Sequence, residues 1–287
     1  MTDEPEDDRK MPLLDHLIEL RRRLLWSAVA MVILFIGFFY VSEPIFKFLA
    51  APLQARTHEP LIYTSLTEAF FTYIKLAFFA AFLIGFPFFA VQIWLFVAPG
   101  LYRHERGAFL PFLISTPIMF YLGAAGVYYL VVPVAWDFFI AFETEDIKLL
   151  PKVSEYLSLV MQLMFAFGLA FELPVLLTLL VRVGIVSAAG LASKRRYAIV
   201  AAFILAAVLT PPDVISQVSL AVPVILLYEV AIVIGRMIEK SRRKAEEKAE
   251  KAEAEGDEAA APEAPGNDDP APAAETEDPD KPAPPGA

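Results

Sequence analysis

Three carboxylates in this chain sit where an acid can do chemistry: Glu19, Glu105 and Glu172. Glu105 closes the stretch Trp94-Leu-Phe-Val-Ala-Pro-Gly-Leu-Tyr-Arg-His-Glu105, in a short turn that also holds Arg103 and Arg106. A lone acid among basic residues can dock a cationic ligand through charge-assisted hydrogen bonds. It can also be a solvated turn with local ion pairs, and composition alone favours that plainer role. Glu19 stands in helical register with Asp15 and Arg23. A surface pair with Arg22 or Arg23, worth about 0.3 kcal/mol, therefore competes with any ligand. Glu172 lies in Phe165-Ala-Phe-Gly-Leu-Ala-Phe-Glu-Leu-Pro174, inside an apolar run. An ionised acid at bilayer depth costs about 3 kcal/mol on insertion scales, so it needs water, a partner or a proton. Its default reading is functional. The alternative is a neutral Glu bonded to a neighbouring helix, for example at the carbonyl freed by Pro174.

Other chemistries find no residues. There is no Cys, so neither disulfide nor thiolate metal site is available. His16, His58 and His104 are far apart and show no metal spacing. No nucleophile–base set, HExxH or GxSxG context falls inside the apolar segments. No enzyme, metal or cofactor is expected, and no nucleic-acid partner.

The elements that must position these acids are membrane spans. Hydrophobic residues make up 57% of the 287, and the mean hydropathy is +0.55. Both values are too high for an ordinary soluble domain. Leu13, Leu17, Leu20 and Leu24 recur at helical spacing, which predicts an amphipathic interfacial helix over 11–23. Six apolar segments follow, at 24–41, 69–97, 109–134, 157–181, 197–209 and 218–234. Pro87 is expected to break the second, and the fourth contains Pro174. A straight helix needs about 20 residues to cross the hydrocarbon, so the fifth and sixth fall short and the bilayer should thin beside them. Glu229 lies nearer the end of its span and reads as structural. Gln92, Gln162 and Gln217 are polar groups that can join helices by hydrogen bonds. Lys75 lies near the end of span two, where its long stem can snorkel to the interface.

Lys and Arg set the orientation. Arg21–Arg23, Arg103, Arg106, Arg182, Lys194–Arg196, Arg236 and Lys240 fall on one side. Lys47, Arg56, Lys148 and Lys152 fall on the other. The positive-inside rule makes the first side cytoplasmic, with both termini there. The formal net charge of −10 belongs to the ends. Residues 239–287 carry 15 acidic and 7 basic side chains, a net of −8, and residues 1–10 a net of −3. Residues 1–10 have the wrong sign for a signal peptide and read as flexible. Residues 240–258 suit a transient helix, and the Pro/Ala/Asp/Glu run beyond cannot bury a core. The expected organisation is an acidic N-terminus (1–10), a membrane domain (11–238) and a charged cytoplasmic tail (239–287).

Five separated stretches carry a family resemblance. They are His16-Leu-Ile-Glu-Leu-Arg-Arg-Arg-Leu24, Ala51-Pro-Leu53, Gln92-Ile-Trp-Leu-Phe-Val-Ala-Pro-Gly-Leu-Tyr-Arg-His-Glu105, Ala166-Phe-Gly-Leu-Ala-Phe-Glu-Leu-Pro174 and Leu209-Thr-Pro-Pro-Asp213. In order and spacing the chain resembles the TatC family, the multi-spanning subunit of the twin-arginine protein translocase, from about Leu13 to Arg236. The resemblance implies an all-α integral membrane protein of six transmembrane helices, short in the fifth and sixth, with a concave, glove-like shape. It implies a receptor in the inner membrane that binds twin-arginine signal peptides of folded precursors on the cytoplasmic face. It also implies TatA and TatB partners, a homo-oligomer within the complex, and transport driven by the proton-motive force. Glu19 and Glu105 then form the twin-arginine site, with Arg21, Phe96, Pro99, Tyr102 and Arg103 around them. Pro52, Glu172 and Asp213 are further motif positions. Thr210 and Gln217 flank the expected contact for partner helices. Position 100 is Gly where Ala is common in the family. A secondary transporter of small solutes is the competing class, but it should show an internal repeat with matching breaks, and the Glu172 stretch has no counterpart in spans one to three.

Overall fold

The computed structural model describes residues 13–57, 61–97, 109–144, 148–209 and 214–259. Among these the chain is helical, and the single β feature is a parallel bridge between Ile62 and Lys152. Helix α1 spans Leu13–Tyr40. It runs on without a break through Arg23, so the expected interfacial helix and span one are one element. Neither Pro nor Gly stands between Leu13 and Ile36 to end it. Helix α2, Ser42–Thr57, then fills a segment that periodicity left as a loop.

Helix α3, Glu68–Val97, passes intact through Pro87, contrary to the expected break. A helical proline frees the carbonyl four residues earlier, here that of Leu83. The Tyr121 hydroxyl donates to this oxygen at 3.0 Å, which satisfies it inside the bundle. Pro52 inside α2 frees the Phe48 carbonyl in the same way. The Tyr128 hydroxyl donates to it at 2.7 Å, and Tyr156 donates to the next carbonyl, that of Leu49, at 2.6 Å. Tyr121 lies on α4, Phe109–Gly126. Tyr128 lies in the π-helical turn Val127–Val131, which leads into α5, Val132–Ile140. The extra residue of a π turn rotates the helix face, and it buries Tyr128 while leaving Tyr129 exposed.

Span four is broken just before Pro174, a break that the sequence reading did not name. Helix α6, Val153–Phe171, ends at Glu172, and α7, Leu173–Arg182, begins with Pro174 in its first turn. Gly184, at φ 81°, closes α7, with its N–H donating to Val181 O at 3.0 Å. A short helix α8, Ala188–Ser193, precedes α9, Arg195–Leu209. Helix α10, Val214–Ala259, carries the last apolar run and continues far beyond it. Among the described residues, five helical stretches are long and apolar enough to cross a membrane. The 15-residue α9 is short, at about 22 Å. The sixth apolar run lies in a helical stretch, Ser216–Lys248, long enough to cross, and the helix outruns that run into charged residues from Arg236 onward.

The main core gathers toward the α2 end of the bundle, around Leu49, Leu53, Val127, Trp136, Tyr156 and Leu157. Two connections are tied there. The Ile62 N–H donates to Pro151 O at 3.2 Å, and the Val153 N–H donates to Ile62 O at 2.8 Å. Glu68 accepts from the Thr64 N–H at 2.8 Å and from the Ser154 hydroxyl at 2.6 Å, joining the start of α3 to the start of α6. At the opposite end Glu229 is structural, as expected. Both its oxygens accept from Arg195, at 2.6 and 2.8 Å, which ties α10 to α9. Compact packing closes at Ser241. The second unit, from Arg242, holds the end of α10, with Arg242–Glu246 and Arg243–Glu247 pairs at 2.9 and 3.7 Å.

Candidate functional site

Helical spacing puts His16, Glu19 and Arg23 on one face of α1. That face meets Gln92 and Phe96, one turn apart near the end of α3. The His16 ring stacks on Phe96 with centroids 4.2 Å apart and 22° between planes. Arg23 donates through Nε to Glu19 Oε1 at 3.0 Å and through Nη2 to the same oxygen. Its Nη1 reaches Gln92 Oε1 at 3.4 Å. The pair is partly sheltered, with side chains 21% and 22% exposed, while Arg21 and Arg22 face outward. Shelter strengthens a charge pair relative to an open surface one. Both Arg23 bonds fall on Oε1, so no Arg23 donor is on Oε2.

The sequence named Glu19, Arg21 and Phe96, and Gln92 as a helix-joining amide. It missed His16 and Arg23 as site residues. Spacing carried both, since positions 16, 19 and 23 share a helical face, but only the crossing with α3 shows that this face is covered. Glu105, Tyr102, Arg103 and Pro99 lie outside the described residues, as do Thr210 and Asp213. Gln217 donates to Phe203 O at 3.4 Å, joining α10 to α9 as expected of a helix-linking amide. Pro52 lies in α2, away from Glu19, within the tyrosine-capped turn.

Trp94 points to the other side of α3. Its indole N–H donates to the Thr116 hydroxyl of α4 at 3.1 Å, and its ring lies 6.5 Å from Phe112. The Thr116 hydroxyl and the Phe120 backbone lie beside the carboxyl of Glu172. Glu172 Oε1 is buried with no hydrogen-bond partner among the described residues. Two glycines create this meeting of α4 and α6. A Cβ on Gly168 would stand 2.5 Å from the Phe120 ring, and one on Gly123 would stand 2.6 Å from Phe167 O. The neighbours of Glu172 lie on span three, where the two glycines let α4 and α6 approach beside the break. The two acid sites therefore sit on opposite sides of the end of α3.

A bundle of long apolar helices, with a charged cluster at one helix crossing and a buried acid at a broken span, defines a multi-pass helical membrane protein. Residues 15–223 match the family model described as Sec-independent protein translocase protein (TatC). A TatC of Magnetococcus marinus is 52% identical over 241 residues, covering 83% of this chain and 89% of that protein. The Escherichia coli K12 TatC is 40% identical over 238 residues, covering 82% and 92%. A crystal structure of the twin-arginine translocase receptor TatC superposes with a TM-score of 0.71 at 39% identity, covering 78% of this chain and 99% of that one. The chain belongs to the TatC family and is a protein-transport subunit of the membrane.

Proposed function

We propose that the chain is the receptor of a twin-arginine translocase, binding the paired arginines of a signal peptide at Glu19 together with Glu105. The observation that supports this most is the Glu19–Arg23–Gln92 cluster with its His16–Phe96 wall. A partly sheltered carboxylate already holding one guanidinium is chemically suited to hold another, because forked N–H donors match carboxylate geometry. Its neighbours Arg21 and Arg22 support a cytoplasmic position for this end by the positive-inside rule; on this reading the chain lies in the inner membrane with both termini inside. TatA- and TatB-like single-span proteins would meet the region of Thr210 and Gln217, several copies of the chain would assemble in one complex, and the proton-motive force would drive export. Glu172 would align a polar group of a partner helix or inserted signal.

The test is crosslinking of a twin-arginine signal peptide to this protein in membranes. Glu19→Gln keeps size and removes charge, so the crosslinked fraction should fall about tenfold while assembly is unchanged. Glu105→Gln should act the same way, and the double variant should lose less than the sum of the two. Normal crosslinking and export by the double variant would overturn the site assignment.

A further inference from the structure

A groove of about 500 Å³ runs between α1 and α3, lined by Met31, Val32, Phe35, Ile74, Lys75 and Phe78. Five of the six side chains are apolar. The sixth is an exposed cation that forms no ion pair among the described residues. We propose that this groove binds one phospholipid with an anionic headgroup, its acyl chain against Val32, Phe35 and Phe78 and its phosphate on Lys75.

Depth supports this choice. The 30 residues of α3 span about 45 Å, against about 30 Å of hydrocarbon, so about 7 Å projects at each end of a centred helix. Lys75 is seven residues past Glu68, about 10 Å along the helix, hence about 3 Å below the hydrocarbon boundary. A lysine stem reaches that far, which puts the ammonium at phosphate level. On α1, Phe35 and Met31 lie five and nine residues before Tyr40, about 8 to 14 Å from the same end. The apolar wall therefore begins directly under the cation, in the order that a lipid presents headgroup and chain. A cation at the membrane surface attracts anionic lipid, and the groove adds chain burial.

The test uses the full chain in nanodiscs of mixed phosphatidylglycerol and phosphatidylethanolamine, released for native mass spectrometry. Wild type should retain one phosphatidylglycerol. Lys75→Gln should cut the retained fraction about fivefold, and Lys75→Arg should keep it. Val32→Trp fills the groove and should also abolish retention with Lys75 intact. Millimolar inorganic phosphate should not compete. Equal retention by Lys75→Gln and wild type would overturn the proposal. So would competition by inorganic phosphate, or retention unchanged in Val32→Trp. Circular dichroism melting of each variant separates loss of the site from loss of the fold. Capture of an acidic transmembrane peptide in place of lipid would assign the groove to a partner helix instead.

Discussion

At the scale of single residues, Arg23 and Glu172 carry the sharpest consequences. Arg23 holds Glu19 Oε1 and also adds positive charge beside the place proposed for a dicationic ligand. Arg23→Gln removes that charge and frees the oxygen. Signal-peptide affinity should rise about threefold at low salt, with the gain shrinking as salt rises, since the lost repulsion is screened. Peptide titration at two ionic strengths measures this, and an unchanged affinity at both would make Arg23 a spectator. Glu172 presents the opposite case. Its buried Oε1 has no partner among the described residues, so the carboxylate burdens the resting fold. Glu172→Ala should melt at or above the wild-type temperature yet lose export, and Glu172→Gln should keep part of it. A lower melting temperature with normal export per folded molecule would mark Glu172 as a structural residue. The sequence flagged Glu172 from charge inside an apolar run alone. It could not place the residue beside Thr116, because that contact depends on Gly123 and Gly168 across two helices.

At the scale of elements, the decisive feature is the pairing of helical prolines with tyrosines. Pro52 frees Phe48 O and Tyr128 fills it, so the two residues form one unit. Tyr128→Phe leaves a part-buried acceptor without its donor and should cost about 1 kcal/mol. In a Pro52→Ala background the helix can supply its own N–H, and the same Tyr128→Phe change should cost about half as much. Thermal melting of the four proteins closes this cycle, and strictly additive losses would show that Tyr128 acts elsewhere. Periodicity located the apolar runs because burial in lipid selects composition. It misjudged Pro87, since whether a proline breaks a helix depends on a distant hydroxyl that no local window contains. Helix α2 escaped for a related reason. Its inward residues Leu49, Ala50 and Leu53 are too few to make a long periodic stripe.

At the scale of the whole molecule, the charge division along the chain was legible directly. The acidic surplus lies at the ends, and the membrane body holds nearly balanced charge. The described part of the second unit, from Arg242, shows local i,i+4 pairs within its helix, each worth about 0.4 kcal/mol. Removing residues 242–287 should therefore leave the melting temperature of the membrane unit within about 2 °C. A drop well beyond that, in detergent or nanodiscs, would show that the tail contributes to the fold. The six-span arrangement was also legible, through apolar runs and basic loops. The tyrosine caps carry a further consequence, for the order of synthesis. Phe48 and Leu83 leave the ribosome well before their donors, Tyr128 and Tyr121, which both belong to the third apolar segment. Until that segment joins them, span two carries the Leu83 carbonyl without its donor, and lipid offers none in its place; α2 likewise waits for Tyr128. The first half of the protein is thus completed by its third apolar segment, which supplies both hydroxyls.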